Sequence, residues 1–319
     1  MKCAMAGPHH LATVAGLGAI LLWSGLAAIT LAAGPLPPFQ LIAMCFGVAA
    51  SIGALYLAFD AVARRQLRQT PWGALALGVA GLFGFHLFYF LALGTAPPVQ
   101  ANLINYLWPL IVVVLSGVLP GASEPLRLRH LAGCGLAFCG ALLLLADENA
   151  LAFERRALAG YGAAFLAAVI WAGYSLLLRK YSGVPSAAVA LSCAVTALLS
   201  ALAHLAFEDT RWPDGMRQWL AVLALGLGPV GLAFYIWDYG CKHGDLRLLG
   251  TAAYATPLLS TAVLTTLGIG TGGAHIWLAA LLISGGALVT VSGRSSSRSG
   301  AKGESEELTC QGSSRAVRE

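Results

Sequence analysis

Long apolar runs alternate with short polar or Gly/Pro-rich segments along most of the chain. A helix of about twenty apolar residues crosses the hydrocarbon core of a bilayer. Links as short as GPLPP (34–38) and GTAPP (94–98) make consecutive runs antiparallel neighbours. The pattern predicts an all-α polytopic membrane protein with ten transmembrane helices. The predicted spans lie near 11–33, 38–59, 72–94, 98–119, 128–146, 158–180, 185–207, 217–239, 246–268 and 274–293.

The composition agrees with a membrane protein and excludes several other classes. The chain is 58% hydrophobic and 10% charged, with a mean hydropathy of +0.76, whereas soluble domains carry roughly 25% charged residues. The seven cysteines form no C-x-x-C pair or Cys/His cluster, so we predict no metal and no cofactor. The basic residues flank the spans without an aromatic-interleaved patch, so we expect no nucleic acid partner. The expected surroundings are the lipid bilayer, and we expect a monomer.

The distribution of Lys and Arg predicts the orientation. With the amino terminus inside, inner segments carry fifteen of the 19 basic residues and outer segments carry four. Cytoplasmic segments are enriched in Lys and Arg, so both termini are predicted to be cytoplasmic. The N-terminal segment is 1–10, and the polar, weakly hydrophobic tail at 294–319 is predicted to be disordered.

The chain also resembles itself at an offset of 148 residues. ILLWSGLAA around Trp23 matches AVIWAGYSL around Trp171, and Tyr106 and Pro109 of NYLWPLIVV match Tyr254 and Pro257 of AYATPLLST. These matches predict two five-span repeats, 11–146 and 158–293, joined by an external linker at 147–157. Because five is an odd number, the second repeat enters the membrane in the opposite sense. Inverted repeats are typical of transporters with a site near the midplane.

A polar stripe lies on one face of the fourth span. Asn102, Asn105, Tyr106 and Pro109 follow the i, i+3, i+4, i+7 spacing of a helical face. Amides that face lipid lose their hydrogen bonds, so this face must look into the protein. Proline removes a backbone donor, so Pro109 and its repeat partner Pro257 are predicted kinks. The stripe fits either helix–helix contact or a cavity lining, and the whole set favours a cavity.

The tryptophans separate by their depth in the predicted spans. Trp23, Trp108 and Trp171 fall near the middle of spans one, four and six, where an aromatic belt does not explain them. They are either core residues or the walls of a midplane cavity with few polar anchors. Five others lie near span ends and are interpreted as belt residues: Trp72, Trp212, Trp219, Trp237 and Trp277.

Further candidates for a cavity lining follow from helical spacing. Tyr89 shares a face of span three with His86, and Tyr174 shares a face of span six with Trp171. Tyr254 begins a comparable face in span nine. His86, the one histidine near a span centre, is either a buried neutral residue or a group for carboxylate binding or proton traffic.

Charged residues are missing from the middle of every predicted span. Their absence argues against a strongly charged substrate, and the chain has no P-loop, H-E-x-x-H or G-x-S-x-G motif of an ATPase, protease or lipase. Asp238, at the predicted inner end of span eight, is expected to form an interfacial ion pair with Lys242 or Arg247.

The chain resembles a known family. Its two five-span repeats, the Trp in span one and LFYFLALGTAPPVQANLINYLWPLI in spans three and four resemble the EamA-type drug/metabolite transporter superfamily, and within it the bacterial aromatic amino acid exporters. This resemblance implies a basket-shaped bundle in the bacterial inner membrane that exports aromatic and other neutral amino acids through a central cavity. The second repeat departs from the motif, because AYATPL replaces NYLWPL. The likeness carries over onto Trp23, His86, Tyr89, Tyr106, Trp108, Trp171 and Tyr174 as cavity residues.

Three functional hypotheses follow. The first is a non-enzymatic secondary exporter of amino acids that works by alternating access, with Trp23, Trp108 and Trp171 against the substrate ring. The second is an exporter of lipophilic drugs or cations, which aromatic walls hold through cation–π contacts. The third is a non-transporting scaffold or an intramembrane enzyme. For the scaffold, substitution of Asn105 or Trp108 would change stability and not flux; the enzyme would need a catalytic partner for His86, and none is evident.

Overall fold

A computed structural model describes residues 8–118, 126–145, 154–269 and 274–292, and these residues form helices and no strand. Seven helical segments are long and apolar enough to cross a membrane, and an eighth is a bent pair whose halves, Leu246–Ala252 and Ala255–Thr266, meet at 40°. Two shorter apolar helices are Leu128–Leu145 and Ala274–Val291. The seven are His9–Ala33, Pro38–Phe59, Trp72–Thr95, Pro98–Gly117, Arg155–Tyr181, Ser186–Phe207 and Met216–His243.

The all-α polytopic class is therefore confirmed. These helices occupy all ten predicted ranges, and we number them span one to span ten in chain order. Three points stay predictions: that all ten helices cross the membrane, that the two repeats are inverted, and that both termini are cytoplasmic. The predicted N-terminal segment (1–10), external linker (147–157) and tail (294–319) fall largely or wholly outside the described residues.

Several spans contain interruptions or short flanking helices. Span one is Pro8–Ser24 and Leu26–Ala33, and a polar helix, Ala61–Arg68, follows span two. Spans three and eight each contain a π turn, at Ala80–Gly84 and Gly228–Leu232. The α-helical parts on either side of the π turns are Trp72–Val79 and Phe85–Thr95 in span three, and Met216–Leu227 and Ala233–His243 in span eight. Span four consists of Pro98–Asn105 and Trp108–Val118. The α-helical cores of spans six and seven are Leu158–Leu177 and Val189–Phe207.

The irregularities recur along the chain at the offset seen in the sequence. The second π turn lies 148 residues after the first. Tyr106 lies in the break of span four, and its counterpart Tyr254 lies in the break of span nine. Each break comes just before a proline, whose missing N–H leaves the carbonyl four residues earlier without its helical donor. In span nine that carbonyl, of Ala253, instead accepts the backbone N–H of Thr256 at 3.0 Å, which closes a tighter turn.

Small residues set the distance between spans one and eight. A Cβ atom added at Gly240 would lie 2.8 Å from Cα of Gly16 and 3.2 Å from the carbonyl oxygen of Ala12. The two backbones are thus in direct contact, as is common where membrane helices pack closely. Spans three and six, two and seven, and five and ten form the other main helix pairs.

One end of the bundle carries the basic residues that the sequence assigns to the inner side, and we call it the inner end. Arg179 donates to the carbonyl oxygens of Cys241 (3.3 Å) and Gly244 (2.8 Å), and Arg247 donates to Ser116 Oγ (3.2 Å). The first two bonds tie the end of span six to the end of span eight, and the third ties the start of span nine to the end of span four.

At the opposite, outer end, Glu208 caps the first turn of span two. Its two carboxylate oxygens accept the backbone N–H groups of Phe39 (2.9 Å) and Gln40 (3.1 Å), and the ring of His204 lies 2.9 Å from the same carboxylate. The Gln40 side chain exchanges two hydrogen bonds with the backbone of Arg211. The link between spans one and two is therefore fastened to the end of span seven.

We expect Glu208→Ala to lower the free energy of unfolding by about 1–3 kcal/mol, because two helix N–H groups and His204 lose a charged acceptor. Thermal unfolding of the purified protein in detergent measures the change. Asp209→Ala removes a neighbouring exposed carboxylate and is the matched control. Equal melting temperatures of the two variants would contradict the assigned cap.

Candidate functional site

A cavity of about 430 Å³ lies between spans one, two, three, four, six, eight and nine. This volume falls in the range of small-molecule sites, ~300–1,000 Å³. The cavity extends from the bundle centre to Leu36 and Pro38 at the link between spans one and two, on the outer end. Eight of the ten residues predicted to bind substrate line it: Trp23, His86, Tyr89, Asn102, Asn105, Tyr106, Trp108 and Trp171.

Four indole rings from four spans meet at the inner limit of this cavity, and we call them the tryptophan cluster: Trp23, Trp108, Trp171 and Trp237. The ring centroids of Trp237 lie 5.0 Å from Trp23, 5.8 Å from Trp108 and 6.4 Å from Trp171. Trp237 has no exposed surface, so its interpretation as a belt residue is wrong. Span eight continues to His243, which places Trp237 well inside the helix instead of at its end.

Two phenylalanines that the sequence reasoning did not select complete the aromatic walls. Phe85 stacks on Tyr89 at 5.5 Å and lies 5.3 Å from Trp171, and Phe234 lies 6.1 Å from Trp23. The repeat offset contains a signal for Phe234, because it lies 148 residues after His86. The same offset leads from Tyr89 to Trp237.

Each π turn supplies a carbonyl group to an aromatic residue of the cavity. The carbonyl oxygen of Leu82 lies 2.6 Å from Nδ1 of His86, and the carbonyl oxygen of Pro229 accepts the indole N–H of Trp23 at 3.0 Å. A carbonyl only accepts, so Nδ1 of His86 carries the proton and Nε2 of the neutral ring is an acceptor. The π turns thus fix the orientation of one ring on each side of the cavity.

The polar anchors of the cavity come from spans three and four. The Tyr89 hydroxyl donates to Oδ1 of Asn102 at 2.6 Å. Oδ1 of Asn105 is buried and has no hydrogen-bond partner among the described residues. Pro109 also leaves the backbone carbonyl of Asn105 without a helical donor. Span four therefore brings spare acceptor groups close to the cavity.

The other two predicted residues lie outside this cavity. Tyr174 lies 5.3 Å from Trp171 on its far side, over Gly81, where an added Cβ would come within 2.4 Å of the Tyr174 ring. Tyr254 is fully buried behind the wall, with Val113 and Phe138. The predicted kink residues Pro109 and Pro257 do not line the cavity either.

No Asp, Glu, Lys or Arg lines the cavity in the described part of the chain. The nearest charged group along span eight is Asp238, which is buried and pairs with Lys242 (Oδ2–Nζ, 2.8 Å). Of the two cations expected for it, Lys242 is the one that forms the ion pair. The cavity is thus an aromatic chamber without fixed charge.

This helical bundle around an uncharged aromatic chamber matches one family model in each half of the chain. The model, described as the EamA-like transporter family, matches residues 10–146 and again 158–292. The chain belongs to the EamA-like transporter family. As the sequence predicted, it is a transporter and not an enzyme, and it is a multi-pass protein of the bacterial inner membrane.

Two relatives of this EamA-like transporter carry the same name. An aromatic amino acid exporter YddG from Ancylobacter novellus is 47% identical over 279 residues, which cover 87% of this chain and 96% of that protein. The protein named aromatic amino acid exporter YddG in Escherichia coli is 26% identical over 292 residues, with the same coverage of both chains. A solved crystal structure that is 46% identical superposes with a TM-score of 0.83 and covers 88% of this chain and 97% of its own.

Proposed function

We propose that this EamA-like transporter exports aromatic and other neutral amino acids through its central cavity by alternating access. The observation that carries the proposal is the chamber itself, whose walls are aromatic rings and whose polar anchors are uncharged. The names of the relatives described above support the same substrate class. Such contacts hold a neutral or zwitterionic ligand loosely, which suits a protein that must release it.

The substrate ring packs against the tryptophan cluster in this proposal. Each aromatic contact contributes about 0.5–1.5 kcal/mol beyond buried area. The Asn102 amide, the acceptor atoms of Asn105 and the Tyr89 hydroxyl hold the amino and carboxylate groups. Nε2 of His86 adds an acceptor that suits an ammonium better than a carboxylate.

Alternating access rests on the proposed inverted repeat. Two separate family matches, the two π turns and the two broken spans support two units of related structure. Helix pairing supports them too, because span one packs on span eight as span six packs on span three. An exchange of conformation between such units moves the opening from one side to the other. Ten crossing spans and cytoplasmic termini complete the proposed topology.

A second candidate is an exporter of lipophilic cations. The observation that favours it is again the ring-lined chamber, because a cation over an aromatic face gains roughly 0.5–2 kcal/mol. The fully neutral lining and the scarcity of anionic partners make it the weaker of the two proposals.

Efflux from proteoliposomes tests the proposal. Vesicles are loaded with phenylalanine, threonine or a lipophilic dication, and release is compared between wild type, Trp108→Ala and Asn105→Ala at equal amounts of folded protein. We expect wild type to release phenylalanine. We expect Trp108→Ala to release it about tenfold more slowly, because the Trp108 ring and its contacts with Trp171 and Trp237 are lost from the wall against which the substrate packs.

Trp277→Ala is the matched control, because Trp277 is 77% exposed and does not line the cavity. Dication release without amino acid release would favour the second candidate. Folded protein that releases none of the three compounds would reject transport through this chamber.

A further inference from the structure

A second, much smaller cavity lies near the inner end. It measures about 20 Å³, room for about one water molecule, and lies between spans three, six, seven and eight. Its lining includes Tyr174, which the sequence selected but the main cavity omits, and the ion pair of Asp238 with Lys242.

The small cavity is related to the main cavity by the repeat offset. Five of its twelve lining residues lie 148 positions after residues that line the main cavity. The pairs are Leu26 and Tyr174, Thr30 and Leu178, Leu36 and Val184, Leu41 and Val189, and Phe90 and Asp238. The small cavity is therefore the collapsed counterpart, in the second repeat, of the outer part of the main cavity.

The two counterparts differ in charge. Phe90 and Gly94 of the first repeat correspond to Asp238 and Lys242 of the second. The Asp238 carboxylate accepts from Nζ of Lys242 at 2.8 Å and from the Ser186 hydroxyl at 2.5 Å, and Lys242 also donates to the carbonyl oxygen of Val184 at 3.0 Å. Both charged residues are buried, with 2% and 8% exposed surface.

A buried ion pair is a costly way to close a bundle, because both charges lose their hydration and an apolar pair of similar size is often as stable. Its partner Val184 lies in the link between spans six and seven, and Ser186 begins span seven. If the repeats exchange conformations, the segment around Val184 takes the position that Leu36 now has at the edge of the open main cavity. The ion pair then faces an open, hydrated cavity.

We propose that this cavity, when open to the inner side, is a loading site for zwitterions, in which Asp238 binds the ammonium group and Lys242 the carboxylate of an amino acid. This inference rests on the proposed function and names its substrate chemistry. The two charges lie one helical turn apart and already pair with each other, so their separation matches the adjacent charges of an α-amino acid. In this proposal the cavity that loads substrate from the inner side carries charged residues, whereas the main cavity, which releases substrate at the outer side, does not.

Uptake into inverted membrane vesicles, whose outer surface is the cytoplasmic face, tests the loading site. The probes are phenylalanine, phenethylamine, which lacks the carboxylate, and hydrocinnamate, which lacks the ammonium group. We expect Lys242→Gln to raise the KM of phenylalanine about tenfold, since a charged hydrogen bond is lost. The KM of phenethylamine stays within about twofold.

Asp238→Asn gives the complementary result: the KM values of phenylalanine and phenethylamine rise, and that of hydrocinnamate does not. Lys242→Arg keeps the charge and retains most of the affinity for phenylalanine. Lys180→Gln removes an exposed cation at the same end and is the matched control. In right-side-out vesicles none of these variants changes the KM of phenylalanine.

A purely structural ion pair gives a different pattern. It shifts the KM of all three probes together, or changes KM at both faces, and either result overturns the loading site. Should the variants fail to fold, the wild type decides. Equal KM values for the three probes at the cytoplasmic face overturn the loading site. A preference for phenylalanine over both single-charge probes that is stronger at the cytoplasmic face than at the outer face supports it. Wild-type vesicles that carry no phenylalanine at either face reject the proposed function itself.

Discussion

Trp171→Ala is expected to reduce phenylalanine export at least about tenfold, because Trp171 makes more ring contacts than any other residue described around the cavity. Its centroid lies 5.3 Å from Phe85, 5.8 Å from Trp23 and 5.7 Å from Phe234. It is 4% exposed and stands between the cavity and Tyr174. The truncation thus removes the ring against which the proposed substrate packs, together with the wall between the cavity and Tyr174.

Loss of a buried Trp also costs about 3–5 kcal/mol of stability. Phenylalanine export is therefore measured per folded molecule, with the amount of folded protein taken from size-exclusion chromatography. Trp171→Phe keeps an aromatic ring and should recover part of the flux. Trp212→Ala removes an exposed ring and should behave as wild type. Unchanged export by folded Trp171→Ala would show that the tryptophan cluster does not touch the substrate.

Gly240→Ala and Gly47→Ala are expected to change stability in opposite directions. The new Cβ at Gly240 meets backbone atoms of span one at 2.8–3.2 Å, and backbone cannot yield as a flexible side chain can. Overpacking of this kind costs typically about 1–3 kcal/mol. At Gly47 of span two nothing lies within 4 Å, so Ala should stabilise the helix by roughly 0.5–1 kcal/mol.

The melting temperatures of the two purified variants show whether each substitution raises or lowers stability. The same preparations, reconstituted into proteoliposomes, are used to measure phenylalanine export. We expect Gly240→Ala also to lose export, because the added methyl group forces apart two spans that both line the cavity. A Gly240→Ala protein that melts at or above the wild-type temperature would mean that spans one and eight do not touch there.

The sequence located most of the chamber because two signals agreed. The polar stripe of span four and the tryptophans at mid-span were both unexpected for lipid-facing positions, so Asn102, Asn105 and Trp108 could be placed inward without a structure. The repeat connected Trp23 with Trp171 in the same way. Neither signal depended on the exact length of a span.

The residues that sequence reasoning misplaced depend on finer geometry. Trp237 lay two positions from the end of a predicted span, and only the true end at His243 puts it in the interior. Tyr174 shares a helical face with Trp171, but the cavity stops at the Trp171 ring. In span nine the break at Ala253 and Tyr254 turns Ala253 and Thr256, and not Tyr254, toward the chamber.

The tryptophan cluster also gives this protein its own optical reporter. In five of its six ring pairs the indole centroids lie 5.0–6.4 Å apart, a range in which neighbouring chromophores share their excited states. The near-ultraviolet circular dichroism should therefore carry a coupled signal from four rings on spans one, four, six and eight. A ligand ring that enters the chamber, or a rearrangement that parts the four spans, changes that signal without any attached dye.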